Sequence, residues 1–201
     1  MTMSRPLSTR SGRRRGTTQT REQIAVAARS QFADLGYDRT TFRGIAAAAG
    51  VDPALVVHFY GSKEDLFREV MSLPPAVSDS IAAIAEAPRD QLGRRLAELV
   101  VGALENPATR SIVLGRIRSA SSNPVAAALV RETVTRDLAR LTGAVTDDRP
   151  DVRAVLVGAH VVGIALARYV VLVETLVVLS ASDLIDLLAP TFQRYLVEPL
   201  T

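Results

Sequence analysis

Two sets of residues in this sequence have the types and spacing to act on a polyanion. Arg13, Arg14 and Arg15 form a guanidinium run near the N-terminus, which suits a minor-groove or phosphate-binding arm and equally suits a solubilising tail. Thr41 and Arg43 fall at the expected start of one helix, and Lys63 at the start of another. Free backbone N–H groups and the helix dipole favour phosphate at such ends, and an arginine there also has the fork geometry for a guanine edge. Catalytic chemistry finds less support. Cysteine is absent, and the two histidines, His58 and His160, lie far apart and lack metal-ligand spacing. Neither a nucleophile-elbow motif nor a phosphate-cradling glycine loop occurs, so no enzyme activity, cofactor or metal is expected.

The elements that must position these residues read as helices throughout. Apolar runs are divided by Asp, Ser, Pro and Gly at about helix-length intervals, and strand-like alternation is scarce, which predicts an all-α fold. The net charge of +3 is uneven. Residues 1–70 hold eleven Arg or Lys against seven Asp or Glu, while residues 71–201 hold thirteen against fourteen. A basic end on a near-neutral body points to a polyanionic partner for the N-terminal part.

Residues 1–17, rich in Arg, Ser, Thr and Gly, are expected to be a flexible basic arm. A helix should then begin at a Thr20–Gln23 capping box, carry Ile24, Ala28, Phe32 and Leu35 on one face, and end at Gly36. A second helix is expected after Thr40, with Phe42, Ile45, Ala46 and Ala49, ending at Gly50. Asp52 as cap and Pro53 at the first helical position open a third. A fourth starts at Ser62 and turns Leu66, Phe67 and Val70 inward. Two short helices joined through a glycine turn match a helix-turn-helix, although a plain three-helix bundle has the same core pattern.

Beyond Pro74 and Pro75, helices are expected at about 76–86, 89–104, 108–119, 124–142, 151–176 and 182–196, with breaks at prolines and polar clusters. The stretch from Val155 to Leu179 is apolar enough to suggest a membrane span, but His160, Arg168 and Glu174 interrupt it. A helix buried against other helices fits better, and no membrane partner is expected. A second subunit is one way to cover a helix that is apolar nearly all round. Arg168 and Glu174 would then be candidates for pairing across the interface.

The run TTFRGIAAAAGVDPALVVHFYGSKEDLF, Thr40 to Phe67, resembles the DNA-binding domain of the TetR family, and FADLGY at Phe32 to Tyr37 resembles the end of that family's first helix. The resemblance covers about residues 18–72. It implies an N-terminal helix-turn-helix domain, residues 18–72, followed by an effector-binding and dimerisation domain, residues 73–201. It also implies a cytoplasmic, ligand-responsive repressor that binds a palindromic double-stranded DNA operator as a homodimer. Carried over residue by residue, Thr41 and Arg43 would touch the DNA backbone or a groove edge. Pro53, Ala54, Val57, His58 and Phe59 would face the groove, and Lys63 would hold phosphate. Val56 and Tyr60 take core places. Leu55, Val57 and Phe59 stand where side-chain hydrogen-bonding residues are common in the family, so base reading would lean on thymine methyls, His58 and Arg43. The last long helices, 151–176 and 182–196, would form the dimer. The body would hold a small, largely apolar effector, with Arg116, Arg118, His160 and Tyr169 as candidate polar lining. A helical small-molecule-binding or scaffold protein without specific DNA binding is the alternative.

Overall fold

The protein is described by a computed structural model over residues 11–200, with side chains from residue 17 onward. All regular elements among the described residues are helical. The N-terminal head consists of α1 (Ser11–Arg39), α2 (Phe42–Ala49), α3 (Pro53–Tyr60) and α4 (Lys63–Val70). Ile24, Ala28 and Phe32 of α1 are fully buried against Ile45, Val56, Leu66 and Phe67. Phe32 meets Phe67 edge-on, with ring centroids 4.8 Å apart. Leu35, expected on the same face, is instead exposed.

The start of α1 differs from expectation. Its backbone is already helical at Ser11, so Thr20 lies inside the helix rather than capping it, and residues 11–17 belong to α1. The Thr20–Gln23 pattern does not act as a start signal, because the described residues before it, from Ser11, are already helical. Residues 1–10 of the expected arm, and the side chains of Arg13, Arg14 and Arg15, lie outside what the structure describes. At the other end Gly36 adopts φ 75°, interrupting the helix as a glycine without Cβ can.

The body comprises α5 (Pro75–Ala83), α6 (Leu92–Glu105), α7 (Pro107–Ser119), α8 (Pro124–Glu132), α9 (Ala139–Val145), α10 (Pro150–Tyr169), the single turn α11 (Glu174–Val177) and α12 (Ala181–Val197). Short 3-10 turns at Ile84–Glu86 and Arg89–Gln91 join α5 to α6. A π-helical segment, Thr133–Leu138, joins α8 to α9 without a break. The helix expected over 151–176 ends at Tyr169, and Leu172 adopts φ 60° before α11. The Leu166 carbonyl accepts from the Val170 and Val171 N–H groups and the Ala167 carbonyl from the Val173 N–H, while Arg168 donates onward to the carbonyls of Leu176 and Leu179, so the chain turns there without a proline or glycine.

Leu96, Leu141, Val157, Leu184 and Phe192 anchor the body core. Helices α6 and α12 approach so closely at Gly93 that a Cβ would lie 2.4 Å from the Ala189 carbonyl oxygen. Arg153, 1% exposed, ties α10 to the C-terminus by donating to the carbonyls of Tyr195 (2.7 Å) and Glu198 (2.8 Å) and pairing with Asp148. Arg168 pairs with Glu105 within the same chain at 3.2 Å, whereas Glu174 opens α11. The expected use of Arg168 across an interface is therefore replaced by an internal pair. Helix α10 is long and apolar enough to cross a membrane by length and composition. Its buried arginines are nonetheless satisfied by groups of this chain.

The two halves share a core. Val125, Ala126 and Leu129 of α8 complete the hydrophobic cluster beneath α1 and α4.

Candidate functional site

Three local caps shape the head. Thr41 accepts a hydrogen bond from the Gly44 N–H at 3.1 Å and opens α2, one residue later than the expected Thr40. Thr40 is buried instead, its hydroxyl donating to the carbonyls of Gly36 and Gln31. Gly50, at φ 67°, ends α2 in the left-handed conformation. Asp52 then accepts from the Ala54 N–H at 2.7 Å, and Pro53 begins α3. The chain axis turns through 108° between these helices. Ser62 accepts from the Asp65 N–H at 3.0 Å and opens α4.

The turn sets α3 on the outside of the head. Only Val56 and Tyr60 are buried, and the Tyr60 hydroxyl donates to the Arg21 carbonyl at 2.9 Å. Pro53, Ala54, Leu55, Val57 and His58 are exposed. Phe59 departs from the expected groove-facing set: it is half-buried against the core and meets the His58 ring edge-on at 5.3 Å. Arg43 is exposed beside this surface. Arg21, Arg29 and Arg68 are neutralised by Glu69, Glu22 and Glu64, but Arg43 has no ion pair among the described residues. A free guanidinium beside an apolar, protruding helix suits a groove walled by phosphates.

Lys63 is more constrained than its position suggested. Its ammonium lies 4.4 Å from the Tyr37 ring centroid and donates to the Asp38 carbonyl at 3.4 Å. Burial lowers its pKa, an effect partly opposed by Asp38. It fastens the start of α4 to the end of α1. Arg39, which the sequence reading passed over, is also exposed and holds only the Leu35 carbonyl. Its signal was ordinary helix-end basicity, which does not distinguish a contact residue from a capping one.

The body encloses an apolar cavity of about 130 Å³ between α5, α6, α7, α10 and the π-helical segment. Leu96, Val100, Val113, Val134 and Val161 are among its walls, with Thr109, Arg116 and Thr133 as polar lining. Arg116 is 6% exposed. Its Nε–H donates to the Met71 carbonyl at 2.5 Å, and its Nη1 to Thr133 Oγ1 at 3.0 Å. Burial pushes its pKa down to about 10, against the opposing pull of Glu132 and Asp137, so it remains a cation at neutral pH.

The other three candidate lining residues lie elsewhere. Arg118 faces the head and donates to the Asp34 carbonyl at 2.8 Å, while its Nε is buried without a partner. His160 packs edge-on against Phe192 and Tyr195, on the α12 side of α10. Tyr169 donates to Glu105 at 2.9 Å near the end of α10. The helical phase of α7 and α10 decides these outcomes: Arg118 and His160 point away from the cavity, each by a fraction of a turn from residues that line it.

The family profile "Bacterial regulatory proteins, tetR family" matches residues 24–70, and "Tetracyclin repressor-like, C-terminal domain" matches residues 90–196. The structure of a TetR-family regulator from Streptomyces coelicolor is 34% identical, covering 92% of this chain and 99% of that one, with a TM-score of 0.61. This chain belongs to the TetR family.

NalD of Pseudomonas aeruginosa, a secondary repressor of the MexAB-OprM multidrug efflux pump, shares the fold at 21% identity and a TM-score of 0.66, covering 90% of this chain and 98% of its own. CecR of Shigella flexneri, an HTH-type transcriptional dual regulator, is 45% identical over 49 residues. That match spans 24% of this chain and about a fifth (22%) of the curated relative. As a TetR-family protein the chain is a DNA-binding transcriptional regulator, with α2 and α3 as its helix-turn-helix.

Proposed function

We propose that this TetR-family regulator is a ligand-responsive repressor that binds a palindromic operator in the cytoplasm as a homodimer. The contacts assigned to DNA are Thr41, Arg43, Pro53, Ala54, Val57 and His58, with Leu55 added and Phe59 reduced to an edge contribution. Lys63 reaches phosphate if it leaves the Tyr37 ring. Arg13, Arg14 and Arg15 add charge near the duplex. One head of this size offers too few base contacts for specificity, and a dimer presents two α3 helices to successive major grooves roughly 34–36 Å apart.

Support for the dimer comes from the outer line of α10, where Val152, Val155, Ala159 and Gly163 are exposed at spacings of three, four and four. A Cβ at Gly163 would meet nothing within 4 Å, so the line is open to a second helix. Exposed Leu187 extends the apolar surface on α12.

The observation that carries the ligand response is the double role of α7. Thr109, Val113, Arg116 and Ile117 line the cavity. The same helix holds the head through Arg116 to Met71, Arg118 to Asp34 and Ser119, whose hydroxyl accepts from the Tyr37 N–H at 2.9 Å. A Cβ at Gly115 would lie 2.7 Å from Met71 Sδ, so helix and head are in close contact. A ligand that shifts α7 therefore shifts the head, and a coupling of about 1–3 kcal/mol is enough for a useful change in operator occupancy.

The test is binding of the purified protein to the region upstream of its own coding sequence against random duplex over a salt series. Preference for the upstream region at every salt concentration supports specific repression there. Equal affinity for both duplexes throughout would count against it.

A further inference from the structure

The body buries three arginines, and they are not equivalent. Arg153 pairs with Asp148 and Arg168 with Glu105. Arg116 has no carboxylate within 4 Å among the described residues, because neighbouring Glu132 and Asp137 are both taken by Arg136. Glu132 and Asp137 act on it only from a distance; a buried guanidinium with no carboxylate in direct contact is costly, and its two bonds to neutral oxygens leave most of its five N–H donors unused. The place where it sits is also particular. A polar cleft of about 350 Å³, lined by Ser72, Ser78, Asp79, Glu132 and Arg136, shares Leu73, Arg116 and Thr133 with the apolar cavity. Arg116 thus stands on the boundary between an apolar chamber and a polar one.

We propose that the cavity takes a compact apolar molecule with a single carboxylate head, and that the head binds the guanidinium of Arg116 where the two chambers meet. This rests on the reading of the protein as a ligand-responsive regulator. Beyond Arg116 the walls carry only the hydroxyls of Thr109 and Thr133 among apolar side chains, so the rest of the ligand is mainly hydrocarbon or aromatic. A cavity of this size suits a body near that of a benzene ring, with the head reaching toward the cleft. Carboxylate accepts from guanidinium more strongly than a neutral carbonyl does. The side chain that receives the head also holds the Met71 carbonyl at the end of α4, so cavity occupancy and the seating of α4 depend on one residue.

The experiment compares benzoate with benzamide and benzylamine, and hexanoate with hexanamide, by thermal shift and calorimetry on the full chain. The carboxylates are expected to bind at least tenfold more tightly than their amides. Arg116→Gln should bring each pair to within about twofold, whereas Val161→Phe, which fills the chamber, should abolish binding of acids and amides alike. Should Arg116→Gln fail to fold, Arg116→Lys decides. A fivefold or greater loss for the acids with the amides unchanged supports the assignment, and an equal change for both overturns it. Amides or the amine binding as well as the acids, acid preference surviving Arg116→Gln, or no carboxylate binding at all would each overturn it. In fluorescence anisotropy the bound carboxylate should weaken operator binding by the wild type and not by Arg116→Gln. The melting series decides the ligand class even where no operator is found, so the two readings fail separately.

Discussion

In the head, Leu55 and Val57 stand exposed on a helix of eight residues, and in the body Val152 and Val155 stand exposed on a helix of twenty. The two surfaces are apolar for different reasons. Helix α3 is pinned along one line by Val56 and Tyr60, and its ends are held by Asp52 and by the Gly61 N–H, which donates to the Val57 carbonyl. Apart from half-buried Phe59, the rest of it is free to enter a groove, and exposed Arg43 on the adjoining α2 supplies a cation. Helix α10 is anchored through Ala154, Val157, Gly158 and Ala165, and its outer line has small residues at Ala159 and Gly163 that allow a second helix to come close. Protruding side chains with a free cation suit a polyanion. A flat apolar line without a free cation suits another copy of itself.

The largest effect should come from breaking the body surface. Val155→Asp is expected to give a folded monomer and to reduce operator affinity ~100-fold or more, because two linked heads gain avidity that one lacks. Light scattering after gel filtration and anisotropy on a duplex check this together, and a dimer that persists would place the interface elsewhere. Breaking the head surface should leave assembly alone. Arg43→Ala is expected to cost about 1–3 kcal/mol of operator binding with the dimer unchanged, and loss of the dimer or of the fold would refute that separation of roles.

Smaller effects should sharpen the contrast in stability. Gly50→Ala places a Cβ in a left-handed residue with nothing within 4 Å to clash, so only the conformational cost remains, about 1–2 kcal/mol. Circular-dichroism melting would read it, and an unchanged melting temperature would show that the turn relaxes freely. The smallest effect concerns Asp148, whose carboxyl is held below its ordinary pKa by the Arg153 hydrogen bond and then by the Leu200 N–H. A lowered folded-state pKa gives stability that is present above the ordinary carboxylate value, roughly pH 4, and is lost as pH falls through the lowered one. Asp148→Asn should therefore melt below wild type at pH 6, with the gap narrowing as the pH falls below the ordinary carboxylate range, roughly pH 4. A constant gap would assign the effect to packing.

The head was largely legible before the structure because its signals act over a few positions. Asp52 with Pro53, Gly50, and the inward Leu66, Phe67 and Val70 were all placed correctly. The errors there were small or longer in range. Thr41 takes the capping role expected of Thr40 because both are threonines and only the fold decides which one is buried. Phe59 turned partly inward, packing against the head core. In the body, helix positions were legible and their facing was not. Of four polar residues proposed for the cavity, Arg116 lines it, while Arg118, His160 and Tyr169 found partners on other elements.

From the sequence alone came the all-α class, the two short helices with their glycine turn, and the excess of basic residues toward the N-terminus. The charge excess is composition alone, and the two helices rest on caps and turns between residues two to four apart, as in Thr41 with Gly44 and Asp52 with Ala54. Only the tertiary structure decided which arginine lacks a counter-ion, which face of α10 is left open, and how α7 reaches the head. Those depend on partners 45, 82 and 84 positions apart, as in Arg116 with Met71, Ser119 with Tyr37 and Arg118 with Asp34. Local spacing does not encode where such partners meet, because it depends on how whole helices rotate and pack against one another.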